Sequence, residues 1–408
     1  MPAPRRARLW LALPLLYATL VFAPMLRNQF WRDDFGWITR TMEAIQDPVR
    51  LLDVAKTDFR LIPSLSFVLN FALAGVNPFG YYLFNLALHL ANVALVVALA
   101  RRLAAGDARV AVIAGMLFAG GFASYGEAVI WISARTGLIA DLFSLAALVT
   151  HARHLQEGRR RDGILVPIWT ALALLSKESA VALVPLLGLL EGTIGRRAPG
   201  VAPAARRYGL LLGLLVVYLG FEFGVHRRGS EIVGRDYAFG AHALRNLIEY
   251  LARMILPLTP SSMMVSIAPA WRSPLVVMYV VSMVAAPLVW LWLVFRPIPR
   301  AARFGLVWIP IALLPFLFLT FRTITRYLYM PGVGAAIAAA VLTARAWDRR
   351  LATGRPPSRS WAIAAVVLLV AQAMVVNVVI LQRYREQRAL GTAGQQDLVE
   401  QARALGFR

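Results

Sequence analysis

The chain is a succession of long apolar segments separated by short segments rich in arginine. A transmembrane helix needs about 17–25 mostly apolar residues. Apolar residues make up 59% of the chain and charged residues 16%, against roughly 45–50% and about 25% in soluble domains. The sequence therefore predicts an all-α, polytopic integral membrane protein with about eleven transmembrane helices, near residues 9–26, 81–100, 110–125, 133–152, 164–177, 179–195, 208–224, 274–295, 304–321, 327–344 and 361–380.

The arginines set the predicted orientation of these helices. Lysine and arginine accumulate in cytoplasmic loops, and a cytoplasmic N-terminus keeps six arginine clusters on the cytoplasmic side. The same orientation places two large loops, residues 27–80 and 225–273, and the polar C-terminal tail, residues 381–408, on the outer face. The clusters are Arg5, Arg6 and Arg8; Arg101, Arg102 and Arg109; Arg153, Arg159, Arg160 and Arg161; Arg196, Arg197, Arg206 and Arg207; Arg296, Arg300 and Arg303; and Arg345, Arg349, Arg350, Arg355 and Arg359.

Two further apolar stretches, and the first predicted crossing, need an interpretation. Residues 61–75 and 243–269 are read as outer-face or re-entrant segments, because one more crossing at either place would put the arginine clusters outside. Within the predicted outer loop 225–273, HALRNLIEYLARM is expected to form an interfacial helix. The stretch 9–26 is longer than the 7–15 apolar residues of a signal peptide, so we expect an uncleaved first helix.

The formal net charge of +22 suggests an anionic partner. Nucleic-acid binding needs one contiguous basic face, whereas these arginines recur between apolar segments, so a nucleic-acid partner is not expected. The absence of cysteine excludes disulfides, thiol catalysis and thiolate metal sites. Lys56 and Lys177 are the only lysines, a skew towards arginine that is typical of GC-rich bacterial genes. We therefore expect a bacterial inner-membrane protein whose outer face is periplasmic.

Two adjacent carboxylates, Asp33 and Asp34, follow the first apolar segment in FWRDDFGWI. Neighbouring carboxylates at a membrane surface repel each other and lose solvation, which points to a functional role. One of them could act as a general base towards a hydroxyl group. Together they could hold a hard divalent cation, or they could belong to a solvated acidic loop.

Further charged residues recur in the predicted outer segments. Glu127, in a short loop beside Trp131, is either a second site carboxylate or an interfacial surface residue. Arg135 and Asp141 follow on the next helix, where a charged side chain usually pairs or lines a cavity. Each needs partners elsewhere, because residues six apart do not share a helix face.

Two cationic positions could hold a phosphate. Lys177 lies beside Glu178 in a tight hairpin between two apolar segments, where the pair is either a phosphate site or an interfacial anchor. Arg326 and Tyr327, close to Arg322, combine a cation with aromatic rings, which suits a lipid phosphate or ordinary snorkelling to the interface.

A polar stripe runs along one predicted helix, where Asn85, His89 and Asn92 are spaced i, i+4, i+7. These side chains are expected to face inward. For His89 a satisfied structural role is favoured over a catalytic or metal-binding one.

Taken in order, five segments resemble the membrane portion of the GT-C glycosyltransferases. They are FWRDDFGWI, FRLIPSLSFVLNFALAGVNPFGYYLFNLALHLANVALVVALARRL, GEAVIWISARTGLIADLFSLAAL, LLSKESAVALVPLLGLLE and RYLYMPGVG. The likeness is to the tetratricopeptide-containing O-mannosyltransferases in particular and, more distantly, to protein O-mannosyltransferases and lipid A aminoarabinose transferases. It covers about residues 25–195 and, less closely, residues 320–345.

This resemblance implies an inverting transfer of a sugar from a polyprenyl-phosphate donor to a hydroxyl acceptor at the outer membrane face. The acceptor would be a protein, a lipid or a polysaccharide, so the process would be protein or envelope glycosylation. By the same analogy, Asp33 or Asp34 is the catalytic base and Glu127 a second acid near the acceptor or a metal. The candidates for the donor phosphate are Arg60, Arg135, Lys177 and Arg326, and the other candidates for the cavity are His89, Asp141, Glu178 and Tyr327.

Three departures from the family pattern leave the acceptor and the need for a divalent cation open. Leu61 and Ile62 follow Arg60 where the family has a Pro-Leu pair, and Thr325 stands where an acid often precedes the Arg-Tyr-Leu-Tyr run. The third departure is that the 408 residues contain no recognisable tetratricopeptide repeats. A lipid or polysaccharide transporter without catalysis is the alternative, although it predicts inverted repeats with broken helices. A non-catalytic assembly subunit is a third reading.

Overall fold

The computed structural model describes residues 10–52, 60–121, 125–195, 201–224, 237–255, 274–321, 323–354 and 358–407. Within these ranges the chain is helical, and its only β-type pairing is an isolated bridge between Tyr237 and Leu319. The all-α prediction is confirmed. The helices are α1 Leu13–Phe22, α2 Asp33–Gln46, α3 Leu61–Ala74, α4 Pro78–Leu103, α5 Ala108–Ala119, α6 Gly126–Ile130, α7 Arg135–Glu157, α8 Arg160–Leu174, α9 Leu183–Ile194, α10 Val201–Gly224, α11 His242–Ile255, α12 Pro274–Phe295, α13 Arg300–Leu317, α14 Tyr329–Ala352 and α15 Arg359–Ala404.

Six helical segments in the described part are long and apolar enough to span a membrane. They are Pro78–Leu103, Ile132–Glu157, Val277–Phe295, Arg300–Leu317, Thr325–Ala352 and Arg359–Gln387. Each coincides with one predicted crossing. Helices α1, α5, α8, α9 and α10 occupy the remaining five, although they are shorter or less apolar. The chain is therefore a polytopic membrane protein, and the total of eleven spanning helices stays a prediction.

Local sequence explains where several helices begin and end. The Asn77 side chain caps α4 by accepting a hydrogen bond from the Phe79 N–H at 3.1 Å, and Pro78 takes the first helical position. Asp107 caps α5 in the same way, accepting from the Arg109 N–H at 2.8 Å. Helix α7 ends at Gly158, whose φ of +69° is a left-handed conformation that suits glycine.

The predicted outer loops contain helices of their own. Helix α2, a 3₁₀ turn at Pro48–Leu52 and α3 lie within residues 27–80, and the expected interfacial helix of the second loop is α11. Parts of these predictions lie outside the described residues, namely residues 53–59, 225–236 and 256–273 and the single residue Arg322.

Helices α13 and α14 cross at two glycines, and this crossing supports one wall of the site described below. A Cβ atom built on Gly305 would lie 2.3 Å from the carbonyl oxygen of Gly334, and one built on Gly334 would lie 2.5 Å from that of Gly305. The backbones therefore touch where only glycine leaves room. The Trp308 indole N–H donates to the Met330 carbonyl at 2.7 Å, which fixes the start of α14 against α13.

Ion pairs join residues that the orientation argument places on the same side of the membrane. Among the described residues, the arginine-rich ends of the helices are linked by Arg102–Glu157 at 2.8 Å, Arg109–Asp348 at 2.7 Å and Arg153–Asp162 at 2.8 Å. The opposite ends are linked by Arg60–Glu178 at 3.2 Å and Arg383–Glu127 at 3.2 Å. This segregation agrees with the predicted alternation of crossings. Which of the two sides is cytoplasmic is a prediction from the distribution of arginine.

The last helix, α15, continues without a break from the final predicted crossing into the polar C-terminal segment. Its 46 residues are roughly 70 Å long at 1.5 Å per residue. The segment beyond the crossing packs on the outer elements: Gln387 donates to the Tyr82 hydroxyl at 3.2 Å, and Gln395 donates to the Val76 carbonyl at 2.9 Å. The predicted tail, residues 381–408, is thus almost entirely helical.

Candidate functional site

The two adjacent aspartates face different surroundings. Helix α2 begins at Asp33, and the residue before it, Arg32, has a φ of +49°, which is unfavourable for a residue with a side chain. Asp33 is exposed, whereas Asp34 is completely buried. Successive helical residues point about 100° apart, so one carboxylate meets solvent while the other enters the protein. Of the two, only Asp33 is accessible to a substrate.

The buried Asp34 carboxylate is fully engaged by donors. One oxygen accepts from the Trp31 N–H at 2.9 Å, and the other accepts from the Ser133 N–H at 2.9 Å and from the Ser133 hydroxyl. Burial raises the pKa of Asp34 to about 7, even though these three hydrogen bonds act in the opposite direction. Asp34 therefore ties the start of α2 to the 3₁₀ turn Ile132–Ala134 that precedes α7.

Two tryptophans stand next to this link and carry three guanidinium groups. The rings of Trp31 and Trp131 meet edge to face, with centroids 5.7 Å apart. Arg32 and Arg383 lie 4.2 and 3.4 Å from the Trp31 centroid, and Arg326 lies 4.7 Å from that of Trp131. Cations this close to aromatic faces are held electrostatically, so the tryptophan pair gathers positive charge at this point.

Glu127 lies between two of these guanidinium groups. Its Oε1 atom is 3.2 Å from Nη2 of Arg383 and 3.9 Å from Nη1 of Arg326. The Glu127 and Arg326 side chains are each 22% exposed, so the group can still meet a ligand. One carboxylate with two guanidinium groups leaves a net positive charge, which suits a phosphate.

A cleft begins beside this group and runs between α7, α9, α13 and α14. It encloses about 550 Å³ of empty space, part of it open to solvent. Asp141, Lys177 and Arg326 line it together with the aromatic residues Tyr327 and Tyr329. The Lys177 ammonium lies 5.2 Å from the Tyr327 ring centroid. The cleft therefore combines an acid, two cations and aromatic walls.

Several predicted residues support the cleft from outside. His89 contacts the Tyr329 hydroxyl through Nδ1 at 2.8 Å and the Ala119 carbonyl through Nε2 at 3.2 Å, which is the satisfied structural role expected for it. Asn92 donates to the same tyrosine hydroxyl at 3.2 Å. The ion pair of Arg60 with Glu178 holds the start of α3 against the turn that carries Lys177.

The structure does not bring Arg135 to the cleft. Its side chain is completely buried and donates to Asn85 at 2.9 Å, to Asn70 at 2.8 Å and to the Tyr81 carbonyl at 2.9 Å. Its guanidinium also lies 4.5 Å from the Phe67 ring centroid. Arg135 therefore fastens α7 to α3 and α4, and the geometry gives no support to a phosphate-binding role.

The part of the chain that the structure describes contains no cluster of side chains that could bind a metal ion without further ligands. Within the described ranges, no three histidine, aspartate or glutamate side chains gather in a way that could hold a metal ion. Asp33 and Asp34 do not form a joint cation site here, because Asp33 is exposed and Asp34 is buried. Both Asp34 oxygens also already accept hydrogen bonds.

Sequence reasoning missed Ser133 and Arg383. Ser133 gives no signal of its own, because its role depends on the buried Asp34. Arg383 gives a shared one: together with Arg385 and Arg388 it lies just beyond the last predicted crossing, on the predicted outer side, where the orientation rule expects few arginines. Such an exception indicates a charge with a specific partner.

Comparison with known proteins finds similarity over a region that contains part of this site. Residues 63–219 match the family described as dolichyl-phosphate-mannose-protein mannosyltransferase. The protein O-mannosyl-transferase Tmtc1 of Drosophila melanogaster is 36% identical over 172 residues, which are 41% of this chain and 18% of that protein. TMTC2 of Homo sapiens and of Mus musculus, also named protein O-mannosyl-transferase, is 36% identical over 96 residues, or 24% of this chain and 11% of each relative.

These matches confirm the resemblance to GT-C membrane glycosyltransferases that the motifs indicated. The matched segments span less than a fifth of each of these relatives. No solved structure matches the chain significantly. Glu127, Lys177 and Asp141 fall inside the family match, whereas Asp33, Arg326 and Arg383 fall outside it.

Proposed function

We propose that this protein is a glycosyltransferase that moves a sugar from a polyprenyl phosphate to a hydroxyl acceptor at the outer face of a bacterial inner membrane. One observation carries the proposal: a cleft between the helices is lined by two cations, Lys177 and Arg326, and by aromatic rings, and the Glu127 carboxylate lies beside Arg326. A donor anchored in the membrane can reach such a cleft from the lipid. The similarity to mannosyltransferases supports mannose as the first sugar to test.

In the proposed reaction, Asp33 takes the proton of the acceptor hydroxyl. The hydroxyl oxygen then attacks the anomeric carbon from the side opposite the phosphate, so the configuration inverts. The bond between the anomeric carbon and the phosphate oxygen breaks, and its electron pair leaves with the polyprenyl phosphate.

Lys177 and Arg326 are the proposed phosphate ligands, because both line the cleft. Positioned cations that meet charge developing on a leaving group are a large source of rate enhancement. Glu127 is the proposed second acid near the acceptor. Arg60 and Glu178 support the turn that carries Lys177, and Arg135 has no assigned role in binding.

A transfer assay tests the proposal. Purified protein in detergent receives polyprenyl-phosphate mannose and other polyprenyl-phosphate sugars with native membrane extract, and free polyprenyl phosphate is measured. We expect release by the wild type and by Asp47→Asn, a control at the other end of α2, and at least about a hundredfold less by Asp33→Asn. Equal release by wild type and Asp33→Asn would remove Asp33 from the mechanism.

The second candidate is a lipid or polysaccharide transporter. Asp141 favours it, since an acid within a predicted membrane helix that lines a cleft is common in transport pathways. The assay separates the two, because a transporter leaves the bond between sugar and phosphate intact. Folded wild-type protein that releases no polyprenyl phosphate from any donor would favour transport.

A further inference from the structure

Arg383 enters the candidate site from a helix that lies outside the family match. Its guanidinium lies 3.4 Å from the Trp31 ring centroid, and its Nη2 atom lies 3.2 Å from the Glu127 carboxylate. Only 13% of the side chain is exposed, compared with 55% for Glu386, which also contacts it at 3.7 Å. Arg383 is thus held mainly by the site and less by its own helix.

The surrounding contacts fix the orientation of α15 at this point. Gln387, one turn further along the same face, is buried; it accepts from the Gln29 N–H at 2.9 Å and donates to the Tyr82 hydroxyl at 3.2 Å. Nearer the start of α15, the Leu369 carbonyl accepts a hydrogen bond from the Tyr17 hydroxyl of α1 at 2.6 Å. Because α15 is anchored both before and after Arg383, this side chain is well placed to position another group.

Glu127 has two cationic neighbours with different access to the cleft. Arg326 lines the cleft and lies 3.9 Å from Glu127, so this contact is the weaker of the two. Arg383 is closer and does not line the cleft. Guanidinium groups bind phosphate strongly and often in a bidentate manner, so a phosphate in the cleft would compete with Glu127 for Arg326.

We infer that Arg383 is a positioning residue that keeps the Glu127 carboxylate and the Trp31 ring in place while Arg326 binds the donor phosphate. The inference rests on the proposed function and deepens it by giving Arg326 and Arg383 different roles. Arg326 serves the donor, and Arg383 serves the acid on the acceptor side. Without Arg383, Glu127 would lose its closer cation and turn towards Arg326, out of its position on the acceptor side, so the chemical step would suffer more than donor binding.

The test compares Arg383→Gln with Arg385→Gln, which removes the same charge from an exposed position two residues away. With polyprenyl-phosphate mannose as donor, we expect kcat to fall about tenfold or more in Arg383→Gln, the scale of losing one charge-assisted hydrogen bond that orients a site group. The donor KM should rise only a few fold. Arg385→Gln should match the wild type, and Arg383→Lys, which keeps the charge, should recover part of the loss.

A second background shows whether Arg383 acts through Glu127. In Glu127→Gln protein, adding Arg383→Gln should change kcat by less than about twofold, because the group to be positioned has already gone. If Arg383→Gln lowered kcat by the same factor in Glu127→Gln protein as in the wild type, the inference would be overturned. Equal kcat values for Arg383→Gln and Arg385→Gln would also overturn it. If Arg383→Gln does not fold, the same criteria apply to Arg383→Lys against Arg385→Lys. An inactive wild type would instead refute the proposed function.

Discussion

Replacing Asp34 should damage the fold, whereas replacing Asp33 should not. Asp34→Ala removes the acceptor of three hydrogen bonds in a fully buried place and leaves the Trp31 and Ser133 donors without partners. Each unsatisfied buried donor costs about 1–3 kcal/mol, although the relief of a buried charge offsets part of this. We expect a net loss of about 2–5 kcal/mol in unfolding free energy. Asp33→Ala, at an exposed position, should stay within about 0.5 kcal/mol of the wild type.

Thermal unfolding of the detergent-purified proteins measures this difference. Near-UV circular dichroism is a suitable signal because it reports the packing of aromatic side chains, which include Trp31 and Trp131 beside the Asp34 link. The Tm of Asp34→Ala should lie well below that of Asp33→Ala, and Asp34→Asn should fall between them because its amide oxygen can still accept from Ser133. Equal Tm values for Asp33→Ala and Asp34→Ala would refute the assignment of Asp34 as a structural carboxylate.

Three further outcomes are expected. Burial raises the pKa of Asp34 from 3.8 to about 7, so its stabilising contribution is complete below about pH 4 and is lost as the pH rises through 7; in unfolding measured across this range, Asp34→Asn should lack that slope. Arg135→Lys should lower Tm, since a compact ammonium group cannot reach all three acceptors that the planar guanidinium reaches from Nε and Nη2; an unchanged Tm would contradict its structural role. Lys177→Gln should raise the donor KM about tenfold or more with little change in Tm, and an unchanged KM would remove Lys177 from the phosphate site.

The helices could be predicted because the length and polarity of an apolar segment are local properties. Helices α4, α7 and α14 fall where runs of apolar residues required them. The sequence could also indicate which charged residues share a side of the membrane, because arginine marks the cytoplasmic loops. The meeting of Glu127 with Arg326 follows from that alternation once the helices are packed.

The pairings within the site could not be predicted, because they join distant parts of the chain. Asp34 and Ser133 are 99 residues apart, and Glu127 and Arg383 are 256 apart. Nothing local in the sequence specifies such contacts; they depend on how the helices pack. Arg135 illustrates the converse, since its position near the outer end of a membrane helix suggested ligand binding, whereas its buried guanidinium donates to Asn70 and Asn85.

The central proposal, sugar transfer from a lipid donor, is tested most directly by following both halves of the donor in one experiment. Wild-type protein in liposomes receives polyprenyl-phosphate mannose labelled in the sugar, together with membrane extract as acceptor. We predict that labelled acceptor and free polyprenyl phosphate appear in equal amounts, and that Asp33→Asn forms neither. Label that crosses the membrane still joined to its lipid, with no free polyprenyl phosphate, would contradict the proposal and identify a transporter.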